Sequence, residues 1–191
     1  MPRRLKTPGT TLLRLYVLGA IFLIPLSIGI VSVTNNANRS DHAYQISHDV
    51  GSMYAQGVDF SQSANQNIAL SVAEGIGIDI HGGRAVLILS KIRVVHPSDC
   101  PSDDAEKCSN KGYPVVTERY VLGNRQLRPS SFGTPASLDP ASGKVRDWIN
   151  DLSARADNFA SSLKPGEVTY AAECYLTSPE SGNGVYSRTM F

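Results

Sequence analysis

No basic stripe runs along this chain: 18 Lys and Arg face 17 Asp and Glu, for a net charge of +1 over 191 residues. A nucleic-acid partner needs a concentrated positive footprint, so this balance excludes one. Nothing repeats at a fixed period, and no stretch is low enough in complexity to read as disordered. Catalytic signatures are missing as well. There is no His-Glu-x-x-His, no Gly-x-Ser-x-Gly and no phosphate loop. The glycines of Gly75-Ile-Gly77-Ile-Asp-Ile-His-Gly82-Gly83 have the wrong spacing for a dinucleotide fingerprint and read as a helix stop followed by a hairpin-like turn. His42 and His48 stand about 240° apart around a helix and so cannot face one ligand. No catalytic residue, cofactor or metal is expected, and the chain is not read as an enzyme. Loss of an activity on changing His81 or Glu173 would reverse that.

Cysteine is scarce, with three in all. In an oxidising compartment Cys100 and Cys108 are candidates for a disulfide closing the polar loop Pro101 to Lys107. The chain-entropy account gives so small a ring about 2.5 kcal/mol. Zinc fits poorly, because the pair is not Cys-x-x-Cys and no His lies at ligand spacing. Asp99, Asp103, Asp104 and Glu106 offer oxygens to calcium in principle, but no EF-hand loop is present and Lys107 sits among them, so a solvated loop is the simpler account. Cys174 shares an alternating segment with Val168, Tyr170, Ala172 and Leu176 and reads as a buried free thiol.

Only one long apolar run exists, Leu15 to Val33, and it is uncharged. As a helix of about 19 residues it spans about 28 Å, close to the hydrocarbon thickness of a bilayer. Arg3, Arg4, Lys6 and Arg14 precede it without a matching cluster after it, which places residues 1–14 in the cytoplasm and 34–191 across the membrane. A signal peptide shares these ingredients. Against it, Val31-Ser32-Val33 is a poor cleavage site and the run exceeds the usual signal core. Pro25 is no objection in a membrane helix.

Val33, Ala37, Tyr44, Ile46, Val50, Met53 and Tyr54 continue a helical stripe, which predicts an amphipathic stalk over 34–57. A domain at 58–191 follows. Its pattern predicts a short helix from Ser63 to Glu74, strands over Arg84–Val95 and Val115–Leu122, and an irregular connection from Gly123 to Gly143. Val145, Trp148, Ile149, Leu152, Ala156, Phe159 and Leu163 then predict a helix opened by Asp139-Pro140 and stopped by Pro165-Gly166. Strands over Glu167–Thr177 and Val185–Phe191 close the chain, around a turn at Ser178 to Gly184. The expected class is α+β, an antiparallel sheet packed on helices. Tyr44, Tyr54, Tyr170, Tyr175 and Tyr186 raise the idea of a carbohydrate or adhesion surface, but several fall on core-facing phases, for which packing is the simpler account.

A basic start, an apolar helix with an early proline in Ala20-Ile-Phe-Leu-Ile-Pro25, and small residues with Tyr from Ala43 through Met53-Tyr54-Ala55-Gln56-Gly57 are similar to the TadE-like minor pseudopilins of tight-adherence (Flp) pilus assembly systems. Pro165-Gly-Glu-Val-Thr-Tyr-Ala-Ala-Glu-Cys-Tyr175 and the ending Val185-Tyr-Ser-Arg-Thr-Met-Phe191 resemble the family's closing strands. The likeness covers roughly residues 12–57 and 165–191. Counted back from Pro25, the family's glutamate position is Gly19 and its glycine before the cut is Arg14, so the prepilin-peptidase signature is absent.

The resemblance implies a membrane-retained pilus-assembly component in the inner membrane, with its C-terminal domain periplasmic or extracellular. Its partners would be the lipid bilayer and other pilin-like subunits or the inner-membrane secretion platform. Gly19, Ala20, Ser27, Gly29 and Ser32 are the residues that would permit close helix approach. The alternative is a secreted or tethered extracytoplasmic binding domain with a cleaved signal peptide.

Overall fold

One helix, α1 (Pro8–Ala55), passes through the apolar run, Pro25 and the stripe that follows. The computed structural model describes residues 8–79, 82–101, 108–159, 163–177 and 184–191. His81, Asp103, Asp104, Glu106 and most of the turn from Ser178 lie outside them. The chain divides into two units, Met1–Arg39 and Ser40–Phe191. The division falls inside the stretch that the periodicity assigns to a stalk.

In the first unit the large apolar side chains from Tyr16 to Val33 are exposed. The helix is long and apolar enough to cross a membrane by length and composition, with a mean hydropathy of 2.3 in its most apolar window. Two of its hydroxyls turn inward on the backbone. Ser27 Oγ donates to the carbonyls of Leu23 (2.6 Å) and Ile24 (2.9 Å), and Thr34 Oγ1 to that of Ile30 (2.9 Å). A hydroxyl so engaged asks nothing of its surroundings.

The second unit is α+β. Helix α1 ends where Gly57 turns to φ +92°, with Val58 N–H donating to Met53 O and Gly57 N–H to Tyr54 O. This 6→1 and 5→2 pair is a Schellman stop. Helix α2 (Ser63–Val72) and a 3-10 turn (Glu74–Ile76) follow, then a two-strand ladder of β1 (Ile78–Asp79) and β2 (Gly82–Gly83). The main sheet joins β3 (Ala85–Val94), β4 (Pro114–Gly123), β5 (Val168–Thr177) and β6 (Gly184–Met190) in the order β4-β3-β5-β6, all antiparallel. Strand β3 is central and buried on both faces over Ala85–Ser90, which is why its sequence is an apolar run without alternation.

On one face Leu87, Leu89, Leu122, Ala172 and Cys174 pack with Ala43, Ile46, Val50 and Tyr54 of α1 and Ala69 of α2. On the other, Ile92, Val116 and Ala171 pack beneath Phe132, Val145, Ala154 and Ala156 from the long β4–β5 connection.

That connection corrects the helix expected from Val145 to Leu163. Among the described residues it holds a 3-10 turn (Leu152–Ala154) and isolated bridges Glu118↔Lys144, Leu138↔Val145 and Val115↔Arg155. Leu152, which belongs to the helical stripe, is 59% exposed. The carbonyls a helix would need are taken by Asn110, buried on the loop after Cys108. Its Nδ2 donates to Trp148 O and Asp151 O (both 2.8 Å) and its backbone N–H to Ile149 O (3.0 Å). Asp151 meanwhile accepts from the N–H groups of Ala136 and Ser153. Long-range satisfaction of the backbone overrides the periodicity.

Cys100 and Cys108 are joined, with Cα atoms 5.6 Å apart. Such a bond persists in oxidising compartments. Cys174 is free and buried, and burial pushes its thiol up to about 12. A thiol reagent at pH 8 is therefore expected to label no cysteine in the native chain, one after denaturation and three after reduction as well. Fast labelling of the native chain would contradict the packing of β5.

Candidate functional site

Where α1 stops, its last turn faces a row of side chains laid across the sheet. Ladder pairing puts Lys91 of β3 opposite Glu118 of β4 and, on its other side, opposite Tyr170 of β5. The bridge Glu118↔Lys144 extends the row by one more charge. These positions share a face with Leu87, Leu89 and Tyr120, so the row marks the edge where an apolar face turns polar. Above it, the Schellman turn delivers Gly57, Val58 and Asp59. Together they enclose a pocket of about 330 Å³, completed by Ser61 and Ser142.

Tyr54 is its floor. The ring is 4% exposed and meets Tyr120 (centroids 5.8 Å, 87°), Tyr170 (5.1 Å, 83°) and Phe60 (5.9 Å, 74°) edge to face. Such pairs contribute about 0.5–1.5 kcal/mol each beyond area burial. The hydroxyls differ. Tyr120 donates to Ser142 O at 3.0 Å, whereas the buried Tyr54 hydroxyl has no hydrogen-bond partner. Burial first, and then the neighbouring charge of Glu118, pushes the Tyr54 phenol far above its ordinary range. Tyr120 moves the same way for the same reasons. Both stay protonated at any physiological pH.

The charges around the pocket balance: Lys91 and Lys144 against Glu118 and Asp59. Asp59 is occupied by its own turn, accepting from Ser61 N–H (2.9 Å) and Gln62 Nε2 (3.2 Å), and hydrogen bonds from Ser61 hold its carboxyl below the usual range. Lys91 lies over the Tyr170 ring at 5.6 Å. Among the described residues no ion pair involves Lys91, Glu118 or Lys144.

The other sequence candidates lie elsewhere. On a helix at about 100° per residue, Ala20 and Ser27 share one side, Gly29 and Ser32 lie across from them, and Gly19 falls between the two. A Cβ on Gly19 or Gly29 would meet nothing within 4 Å. His42 and His48 are exposed on α1. Asp99, considered as an oxygen ligand, is spent on structure: it accepts from Arg93 Nη2 (2.8 and 3.1 Å) and from His96 N–H (2.9 Å). Among the described residues no group of three His, Cys, Asp or Glu side chains is placed to hold a metal.

Glu173 is buried and accepts four hydrogen bonds, from both Ser130 and Ser131 hydroxyls, Ser131 N–H and the Tyr186 hydroxyl. Burial together with that bond pushes Tyr186 up to about 12.

Of the pocket residues, sequence reasoning singled out Tyr54 and Tyr170 and missed Lys91, Glu118, Tyr120 and Lys144. The available signal was phase: Lys91 falls in step with Leu87 and Leu89, and Glu118 in step with Tyr120 and Leu122. No protein-family model, curated protein or solved structure matches the chain.

Proposed function

We propose that the chain is a TadE-like pilus-assembly component of the bacterial envelope, anchored by α1 in the inner membrane with its N-terminus cytoplasmic and its disulfide-bearing unit outside. One observation carries the reading. From Tyr16 to Val33 every large apolar side chain is exposed, on a helix where the Ser27 and Thr34 hydroxyls are already bonded to backbone carbonyls. In water that surface would be a severe liability; in lipid it is the requirement. The protein acts by packing, against pilin-like helices or the inner-membrane secretion platform. Small residues on two opposite sides of the helix suit a position between two neighbours.

The substitution Gly29→Phe tests this. A Cβ there meets nothing within 4 Å among the described residues, so membrane retention and thermal midpoint should hold while co-purification with partner helices falls about tenfold. Unchanged complexes would argue against packing through that face. The N-terminal sequence and membrane partition of the mature protein, made in a bacterium with a prepilin peptidase, test the anchor itself. An intact start, or a cut near Leu15 with the apolar run kept, together with membrane retention supports it. A start near Thr34 in the soluble fraction would replace it with the second reading, a secreted binding domain. The pocket at the end of α1 is the observation that favours that alternative.

A further inference from the structure

We propose that the pocket at the end of α1 is a carbohydrate subsite that takes one neutral sugar ring. Three features select that chemistry. The volume of about 330 Å³ stands at the small end of ligand pockets, which run from about 300 to 1,000 Å³ and hold a ring-sized ligand at that end. The lining charges cancel, and on the ladder Glu118 sits between Lys91 and Lys144. A free anion therefore meets a carboxylate between its two lysines, and a free cation meets two ammonium groups beside that carboxylate. A neutral polyol meets no such repulsion. Its hydroxyls can donate to Glu118 and accept from both lysines, and hydrogen bonds to charged groups are the stronger kind. Finally, Tyr170, half-buried where Tyr54 and Tyr120 are core, offers a ring edge against which the C–H face of a pyranose can pack.

The Tyr54 hydroxyl makes this a site and not simply a gap. A buried phenol without a partner is a standing cost in the free protein. Tyr54 lines the cavity with its hydroxyl closed to solvent beside Glu118, and a ligand hydroxyl reaching both would give it the missing bond. The tyrosines of the sequence thus have two roles: their rings build the core, and one hydroxyl is left for a ligand.

The experiment uses the full chain in lipid nanodiscs, free of sugar-headed detergent. Methyl glycosides of glucose, galactose, mannose and N-acetylglucosamine are titrated by saturation-transfer NMR, with acetate, phosphate, glycine and methylammonium alongside. The expected result is millimolar binding of at least one glycoside and weaker binding of every charged probe. Tyr54→Phe should weaken that glycoside about fivefold or more while leaving the thermal midpoint equal or higher, since it deletes an unpartnered buried group. Lys91→Met should weaken it as well.

Three outcomes would overturn the proposal: no glycoside binds, a charged probe binds as tightly as the best glycoside, or Tyr54→Phe binds as the parent does. None of these bears on membrane retention or on the N-terminal sequence, so failure here and failure of the anchor reading are told apart.

Discussion

Glu173→Ala is expected to destabilise the Ser40–Phe191 unit by about 3–5 kcal/mol, the range for removing one partner from a buried charged network. The carboxylate holds down the first half of a short loop, through the Ser130 and Ser131 hydroxyls and Ser131 N–H. The second half is held by Arg119 on the same face of the sheet, which donates to Phe132 O and, at 2.9 Å, to Gly133 O, while its Nε reaches Ser90 Oγ at 3.0 Å. Between the two clamps Phe132 is fully buried in the second core cluster.

Arg119 would also feel the loss. Burial lowers its guanidinium to about 10, and the charge of Glu173 opposes that shift. Removing the acid therefore strands donors and leaves a buried cation less compensated. Urea unfolding followed through Trp148, the chain's one tryptophan, is the measurement. Glu173→Gln should cost less but not nothing, because its amide presents a donor to groups that all donate. A loss below about 1 kcal/mol for Glu173→Ala would mean that loop and sheet are held by packing alone.

What the sequence made legible follows from how local each cause is. Strand β5 was readable because Val168, Tyr170, Ala172, Cys174 and Leu176 fall on one face by simple alternation, and Cys174 is buried there. The Cys100–Cys108 bond was readable from spacing and compartment. The stretch from Val145 to Leu163 was not, since its seven apolar residues keep helical time while Asn110, some forty positions earlier, takes their carbonyls. No window-based reading contains that competition.

The pocket was hidden for a related reason. Lys91, Glu118, Lys144 and Tyr170 become neighbours only through strand register, and Tyr54 meets them only because α1 lies across that face. Lys91 and Glu118 look like ordinary strand charges until the register is known. Tyr54 looked like core, and its ring is.

The second large effect is expected at Gly51, where the sign carries the test. In an exposed helix interior Gly→Ala is stabilising by about 0.5–1 kcal/mol, through reduced chain entropy. At Gly51 a Cβ would lie 2.7 Å from Ala172 Cβ and 2.4 Å from Phe191 Cε2. The helix approaches so closely because Ala43, Ser47 and Gly51, four residues apart, form a ridge of small side chains over β5 and β6. Ser47, fully buried, bonds across the seam to Thr189 Oγ1 (2.9 Å) and Ser187 Oγ (3.1 Å). Phe191 can swing aside, but Ala172 sits in the middle of β5, between β3 and β6, and cannot.

Gly51→Ala is therefore expected to be net destabilising by about 1–3 kcal/mol, the usual cost of overpacking, which lowers the thermal midpoint by about 3–9 °C. Gly51→Leu should lose cooperative unfolding of the unit altogether. The same glycine exchange at Gly29, where nothing lies within 4 Å, should leave the midpoint in place or raise it. Opposite signs at two glycines of one helix would separate the part of α1 that builds a core from the part whose apolar side chains are exposed. A rise at both would mean that α1 does not press on β5 and that the floor of the pocket, set by the depth of Tyr54, is built differently.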